Sequence, residues 1–126
     1  IVIGADTMVV LDENRLGKPT DAQHAISMLH MLQGREHRVY TGVCIIDGGG
    51  KRLERYVCTR VFMDDMDDAA IREYVATGEP MDKAGSYAIQ GRGSAFIKGI
   101  DGCYFNVLGL PVNTIYTMLN EICGQK

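Results

Sequence analysis

Apolar and polar positions change rhythm several times along this chain. It opens on Ile1–Ile3, short, apolar and β-branched, which reads as a buried strand ended by Gly4. Met8–Asp12 reads as a further short extended piece, broken by the turn-forming group Asp12, Glu13 and Asn14. The period then becomes helical: Ala22, Ala25, Ile26, Leu29 and Leu32 share one face. Pro19 precedes that helix. Thr20 is its expected cap, with Gln23 at capping-box spacing, and Gly34 is its expected left-handed stop.

From His37 to Ile46 the residues are β-branched, aromatic or small, and predict a strand. The loop Asp47-Gly48-Gly49-Gly50-Lys51 turns the chain into a second strand from about Leu53 to Met63, with Val57, Thr59, Val61 and Met63 on one side. Together they predict a long hairpin. A helix follows Asp67, carrying Ala70, Ile71, Tyr74 and Val75, and stops at Gly78 before Pro80. Residues 81–93 are rich in glycine and polar side chains, and Ser94–Ile100 reads as a strand. Pro111 opens a last helix, with Val112, Ile115, Tyr116, Leu119 and Ile122 inward and Gly124 at its end. Strands interleaved with helices predict an α/β fold, a mixed, partly antiparallel sheet with flanking helices. Without repeats or a low-complexity linker, residues 1–126 read as one domain.

Composition narrows the function classes. A chain of 126 residues, 46% apolar and 23% charged, suits one soluble domain with a core of its own. A net charge of -3 without runs of one sign points away from a nucleic-acid or membrane surface. No apolar stretch approaches the roughly 18–20 residues of a membrane span, and no charged signal-peptide start is present. Cys44, Cys58, Cys103 and Cys123 are widely spaced and read as unpaired, buried thiols of a cytoplasmic protein rather than as a zinc site.

Several short stretches look wrong for packing alone. Asp6, in Gly4-Ala5-Asp6-Thr7, is read at the carboxyl end of a strand, where open α/β sheets place their ligands. It could hold a divalent metal or take a proton from water, or it could merely satisfy local amides. Lys18, between Gly17 and Pro19, suits a phosphate contact as well as a solvated loop. Residues 78–85 gather Glu79, Asp82 and Lys83 among glycines and a proline, shaping a polar site or only a turn. Gln90 offers an amide that could read a base edge, with Gly91 leaving room beside it. His24 and His30 are expected to be solvated, and His37 to lie near the surface. Arg35, Arg38 and Arg92 are possible anion binders, and Asp64, Asp65, Asp67 and Asp68 read as strand exit and helix cap. A haloacid-dehalogenase-like phosphatase needs a second Asp two positions after its nucleophile, where Met8 stands.

In order along the chain, "VIGADT", "LGKP", "ML…L.GREH.VYTGV", "YV.TGEPMDKAGSYAIQG" and "NVLGLP" resemble the Maf proteins. These are nucleoside triphosphate pyrophosphatases, related in fold to the inosine triphosphate pyrophosphatases. The resemblance implies hydrolysis of the α–β phosphoanhydride of a nucleoside triphosphate to a monophosphate and pyrophosphate, with Mg²⁺ or Mn²⁺ as cofactor. It implies Asp6 as proton acceptor and metal-proximal carboxylate, Lys18 and Lys83 as phosphate neutralisers, and Thr7 and Gln90 as selectors of the base. "GADT" with a later "QG" resembles the branch acting on dTTP and UTP. The family also implies a homodimer, and a phosphate-binding Ser-x-Ser-Pro-Arg-Arg segment ahead of Ile1. On that expectation the chain is N-terminally incomplete relative to the family and its hydrolysis is impaired. The competing expectation is a nucleotide-binding or regulatory module without catalysis.

Overall fold

The computed structural model of the protein describes residues 1–124. Its strands are β1 (Val2–Leu11), β2 (Asn14–Leu16), β3 (Glu36–Ile46), β4 (Arg52–Met63) and β5 (Ile97–Asp101). They form one sheet in the order β2-β1-β3-β4-β5. The expected α/β fold with flanking helices is present, and every pairing in its sheet is antiparallel rather than only part of them. Local turns are the reason. Asp12, at φ 56°, helps fold β1 back onto β2. Asp47 closes the β3–β4 hairpin by accepting the N–H groups of Gly49 and Lys51 at 2.9 and 2.8 Å. The expected long hairpin is present, with Val43 opposite Arg55 and Thr41 opposite Val57.

The opening of the chain departs from expectation. β1 is one continuous strand in which Gly4 pairs with Cys44 rather than ending it. Ile1, Val2 and Ile3 are exposed, because β2 pairs only with Val9–Leu11. Along Val2–Met8, β1 therefore has its described partner on the β3 side alone.

Helix α1 (Ala22–Leu32) is capped one residue later than expected, by Asp21, whose Oδ1 accepts the His24 N–H at 2.8 Å. His24 Nδ1 in turn accepts the N–H of Thr20, the residue before the cap, at 3.0 Å. Helix α2 (Asp68–Ala76) is capped as expected, Asp67 accepting the Ala70 N–H at 2.8 Å. Of the expected strand at 94–100, only Ile97 onward pairs, and a 3₁₀ turn occupies Gly91–Phe96. A short helix α3 (Tyr104–Val107) was not legible in the periodicity. Helix α4 (Val112–Ile122) buries Ile115, Met118 and Ile122, whereas Val112 and Tyr116, expected inward, are exposed.

All the helices lie over one sheet face. Val9, Leu11, Val39, Val61 and Met63 pack there against α1 and α2. Farther along the same face, Val43 and Ile45 pack separately against Ile115, Met118 and Ile122 of α4. The split between these clusters falls at Thr41, which stands between Val39 and Val43 in the alternation of β3. The four cysteines are unpaired as expected, but Cys58 and Cys123 are exposed and Cys44 and Cys103 only partly buried. Among the described residues no helix is long and apolar enough to cross a membrane.

Candidate functional site

A cavity of about 400 Å³ opens beside the cluster that packs β1 and β3 against α1 and α2. Val9, Val39, Ile89, Val107 and Leu108 contribute apolar walls, and Thr7, Lys18, Lys83 and Gln90 polar groups. The volume lies within the usual range for a small-molecule site, which combines apolar walls with a few polar groups. Residues far apart in sequence are brought together here by the fold.

Each arrives for a local reason. Thr7 lies on the inward face of β1, beside Val9, and its Oγ1 is 3.0 Å from Thr41 Oγ1. Lys18 and Lys83 are placed together by a bond between their loops, the Gly85 N–H donating to the Gly17 carbonyl at 3.0 Å. Gly85 is required at this crossing: its φ is 76°, and a Cβ there would lie 3.0 Å from Val9 Cγ1. Lys83 Nζ is 3.2 Å from Asp82 Oδ1. Its hydrogen bond and charge, with a smaller contribution from the charge of Lys18, hold the Asp82 carboxyl below its ordinary value. One carboxylate thus faces two ammonium groups, which leaves the rim of the cavity net cationic.

Gln90 sits in a loop framed by Glu79. That carboxylate accepts the N–H groups of Arg92 and Gly93 at 3.0 and 2.9 Å, and the Tyr74 hydroxyl at 2.5 Å. Burial acts to raise the Glu79 carboxyl, but these donors outweigh it and the net shift is downward. Tyr74 Oη also accepts the Ala88 N–H at 3.1 Å, so the loop is fastened on both sides of Gln90. Tyr87, in the cavity wall, places its Oη 2.6 Å from His37 Nε2.

His37 is only 2% exposed, against the expectation of a surface position, because it falls on the inward alternation of β3. Among the described residues its Nδ1 has no partner, and burial lowers its pKa to about 4. His30 is solvent-facing as expected and bonds Asp68 at 2.8 Å. Arg35 pairs with Asp12, Arg38 with Glu36, and neither lines the cavity.

Asp6 stands apart from the other selected residues. It is in mid-strand, opposite Gly42, rather than at a strand end. Alternation turns it to the sheet face opposite Thr7, where its side chain is 84% exposed and Arg15 Nη2 is 4.0 Å away. Asp6 and Thr7 nevertheless flank the same length of β1 that lacks a partner on its β2 side.

Hard divalent cations take oxygen ligands and often keep water, so one or two carboxylates with substrate phosphates suffice for Mg²⁺. Asp6 offers such a single accessible carboxylate. Among the described residues no group of at least three His, Cys, Asp or Glu is gathered to hold a metal. The donor set fits a cation shared with a phosphate ligand, and not a protein-only cage.

Sequence reasoning missed the roles of His37, Tyr74, Tyr87, Thr41 and Asn106. Asn106 is fully buried, its Nδ2 bonding Val39 O, Val57 O and Thr59 Oγ1 at 3.1, 3.2 and 2.9 Å. The available signal was a polar residue inside the largely apolar "NVLGLP" block.

An antiparallel sheet with helices on one face, and a lysine-rimmed cavity beside its larger cluster, defines an α/β protein suited to an anionic small molecule. More particularly, the chain belongs to the Maf family: the family model described as Maf-like protein matches residues 1–122. The chain is 54% identical over 122 residues to the dTTP/UTP pyrophosphatase of Pelotomaculum thermopropionicum, covering 96% of this chain and 64% of that protein. It is 48% identical over 123 residues to the dTTP/UTP pyrophosphatase of Clostridium tetani, covering 97% and 64%. With the dTTP/UTP pyrophosphatase of Clostridium botulinum (strain Alaska E43 / Type E3) the identity is 50% over 122 residues, covering 96% and 65%. The chain therefore spans just under two thirds of the length of these curated relatives.

Proposed function

We propose that this chain carries the base-reading and phosphate-neutralising part of a nucleoside triphosphate pyrophosphatase that hydrolyses the α–β phosphoanhydride of dTTP or UTP. The observation that carries the reading is the meeting of Thr7, Lys18, Lys83 and Gln90 around one cavity. In this reading the base enters between the apolar walls, with Thr7 and Gln90 at its polar edge. The phosphates lie toward Lys18 and Lys83, whose charges stabilise the pyrophosphate as negative charge builds on it.

Asp6 is proposed as the proton acceptor for the attacking water, reached by phosphates that pass over the open edge of β1. A divalent cation bound there with the phosphates would supply further charge neutralisation. The cysteines are consistent with a cytoplasmic setting. The exposed edge with Ile1, Val2 and Ile3 is consistent with a second copy as partner, which sedimentation at several concentrations tests.

The test is pyrophosphate release from dTTP and UTP in Mg²⁺ by this chain and by Asp6→Asn. The expected result is release by the first, and retained binding with turnover lost in the second. One observation favours a second reading, a nucleotide-binding module without catalysis: Asp6 and the cavity residues occupy opposite sheet faces. Binding of a nonhydrolysable dUTP analogue with no pyrophosphate release from dTTP or UTP would establish that reading instead. Absence of both binding and release would reject the two together.

A further inference from the structure

The hydroxyl of Thr7 is joined to a buried chain of hydrogen bonds whose proton directions can be worked out. Thr7 Oγ1 is 3.0 Å from Thr41 Oγ1, and Thr41 Oγ1 is 3.3 Å from the backbone carbonyl of Asn106. A hydroxyl has one proton to donate and lone pairs with which to accept, whereas a carbonyl can only accept. Thr41 is fully buried, so no solvent serves either of its contacts. Both are satisfied only when Thr41 donates to Asn106 and accepts from Thr7. The reverse direction turns the Thr41 proton toward Thr7 and leaves its contact with the carbonyl as oxygen against oxygen.

The acceptor end of this chain is held in place. The Asn106 carbonyl also accepts the Gly109 N–H at 2.9 Å, and the Asn106 side chain is bonded to β3 and β4. Gly109 keeps the approach to Thr7 open. It has φ 101°, and a Cβ added there would stand 3.5 Å from Thr7 Oγ1.

We infer that Thr41, which does not line the cavity, is a specificity-determining positioning residue: it draws the Thr7 proton inward, so that Thr7 presents only lone pairs to a ligand. The ligand atom at Thr7 must then be a hydrogen-bond donor. This rests on the nucleotide reading above and sharpens it. A uracil or thymine ring carries an imide N–H, which meets the Thr7 oxygen favourably. The corresponding nitrogen of cytosine has a lone pair, so acceptor faces acceptor.

The test compares the unaltered chain with Thr41→Val and Thr41→Ser, by calorimetry with α,β-methylene analogues of UTP and CTP in Mg²⁺. Removing the Thr41 hydroxyl frees Thr7 to donate, so Thr41→Val is expected to lower the UTP-over-CTP preference about tenfold, mainly by tighter CTP binding. Thr41→Ser keeps the hydroxyl and should keep the preference. An unchanged preference in Thr41→Val overturns the inference while leaving the nucleotide reading intact. Failure of the unaltered chain to bind either analogue overturns the nucleotide reading. The proton direction has a ligand-free readout, neutron diffraction after deuterium exchange, which also serves if Thr41→Val does not fold. Deuterium on Thr7 Oγ1 pointing at Thr41 supports the inference, and deuterium pointing into the cavity overturns it.

Discussion

Tyr87 Oη lies 2.6 Å from His37 Nε2 and joins the cavity wall to the buried face of β3. The rings meet edge to face, with centroids 5.3 Å apart and an interplanar angle of 74°. Burial keeps the imidazole neutral, with a pKa near 4 in place of 6.5, and pushes the Tyr87 phenol up. The pair is therefore a neutral contact in the core, and charging it disrupts the wall that carries Tyr87.

Acid should accordingly unfold the protein partly through His37. Between pH 6.5 and about 4 the unfolded chain binds a proton on this residue that the folded chain does not. Stability is complete above pH 6.5 and falls as pH drops through that window, by on the order of 3 kcal/mol. Denaturant titrations at pH 7 and pH 4.5 should show a smaller loss for His37→Gln than for the unaltered protein. Identical losses would remove His37 from this account.

Glu79 holds the Gln90 loop through the Arg92 and Gly93 N–H groups and the Tyr74 hydroxyl. Glu79→Gln replaces one accepting oxygen with a donor that faces donors. We expect a loss of about 1–3 kcal/mol and faster hydrogen exchange confined to residues 88–93. Its carboxyl is held below the ordinary range, so the contribution of its charge is present above pH 4.5 and fades as pH falls further.

Lys18 and Lys83 should matter for phosphate and little for base. Alanine at either position is expected to weaken triphosphate binding about tenfold or more, the scale of one charge-assisted hydrogen bond. Binding of the corresponding nucleoside should stay nearly constant. Calorimetry with UTP and uridine separates the two, and an equal loss for both would place the lysines outside the phosphate subsite.

Gly85 sets the crossing of the two lysine loops. Gly85→Ala puts a Cβ at φ 76° and 3.0 Å from Val9 Cγ1. The expected cost is about 1–3 kcal/mol, read from a denaturant midpoint. Triphosphate affinity should fall with it, because the Gly85–Gly17 hydrogen bond shifts as the backbone relaxes.

Short-range features were legible because their causes are local. The β3–β4 hairpin followed from β-branched runs around Asp47 and the glycines, and α2 from Asp67 at its start and Gly78 after its end. Thr20 was the expected cap of α1, and only the observed backbone placed the cap one residue later, at Asp21. Tyr116 and Met118 show the same limit. Both fit an apolar helix, but packing against Val43 and Ile45 buries Met118 and leaves Tyr116 in solvent.

The residue types of the site, and the family, were determined by the sequence alone, since ordered blocks such as "GADT", "LGKP" and "DKAGSYAIQG" carry chemistry and spacing together. Only the tertiary structure decided which of those residues meet. Neighbours in a strand point to opposite faces, so Asp6 and Thr7, one bond apart in sequence, part company at the sheet. The same packing brings Lys18, Lys83 and Gln90 to Thr7, and sets Thr41 and Asn106 behind it. Hydrogen-bond direction and burial depend on those long-range neighbours, and no local pattern in the chain encodes them.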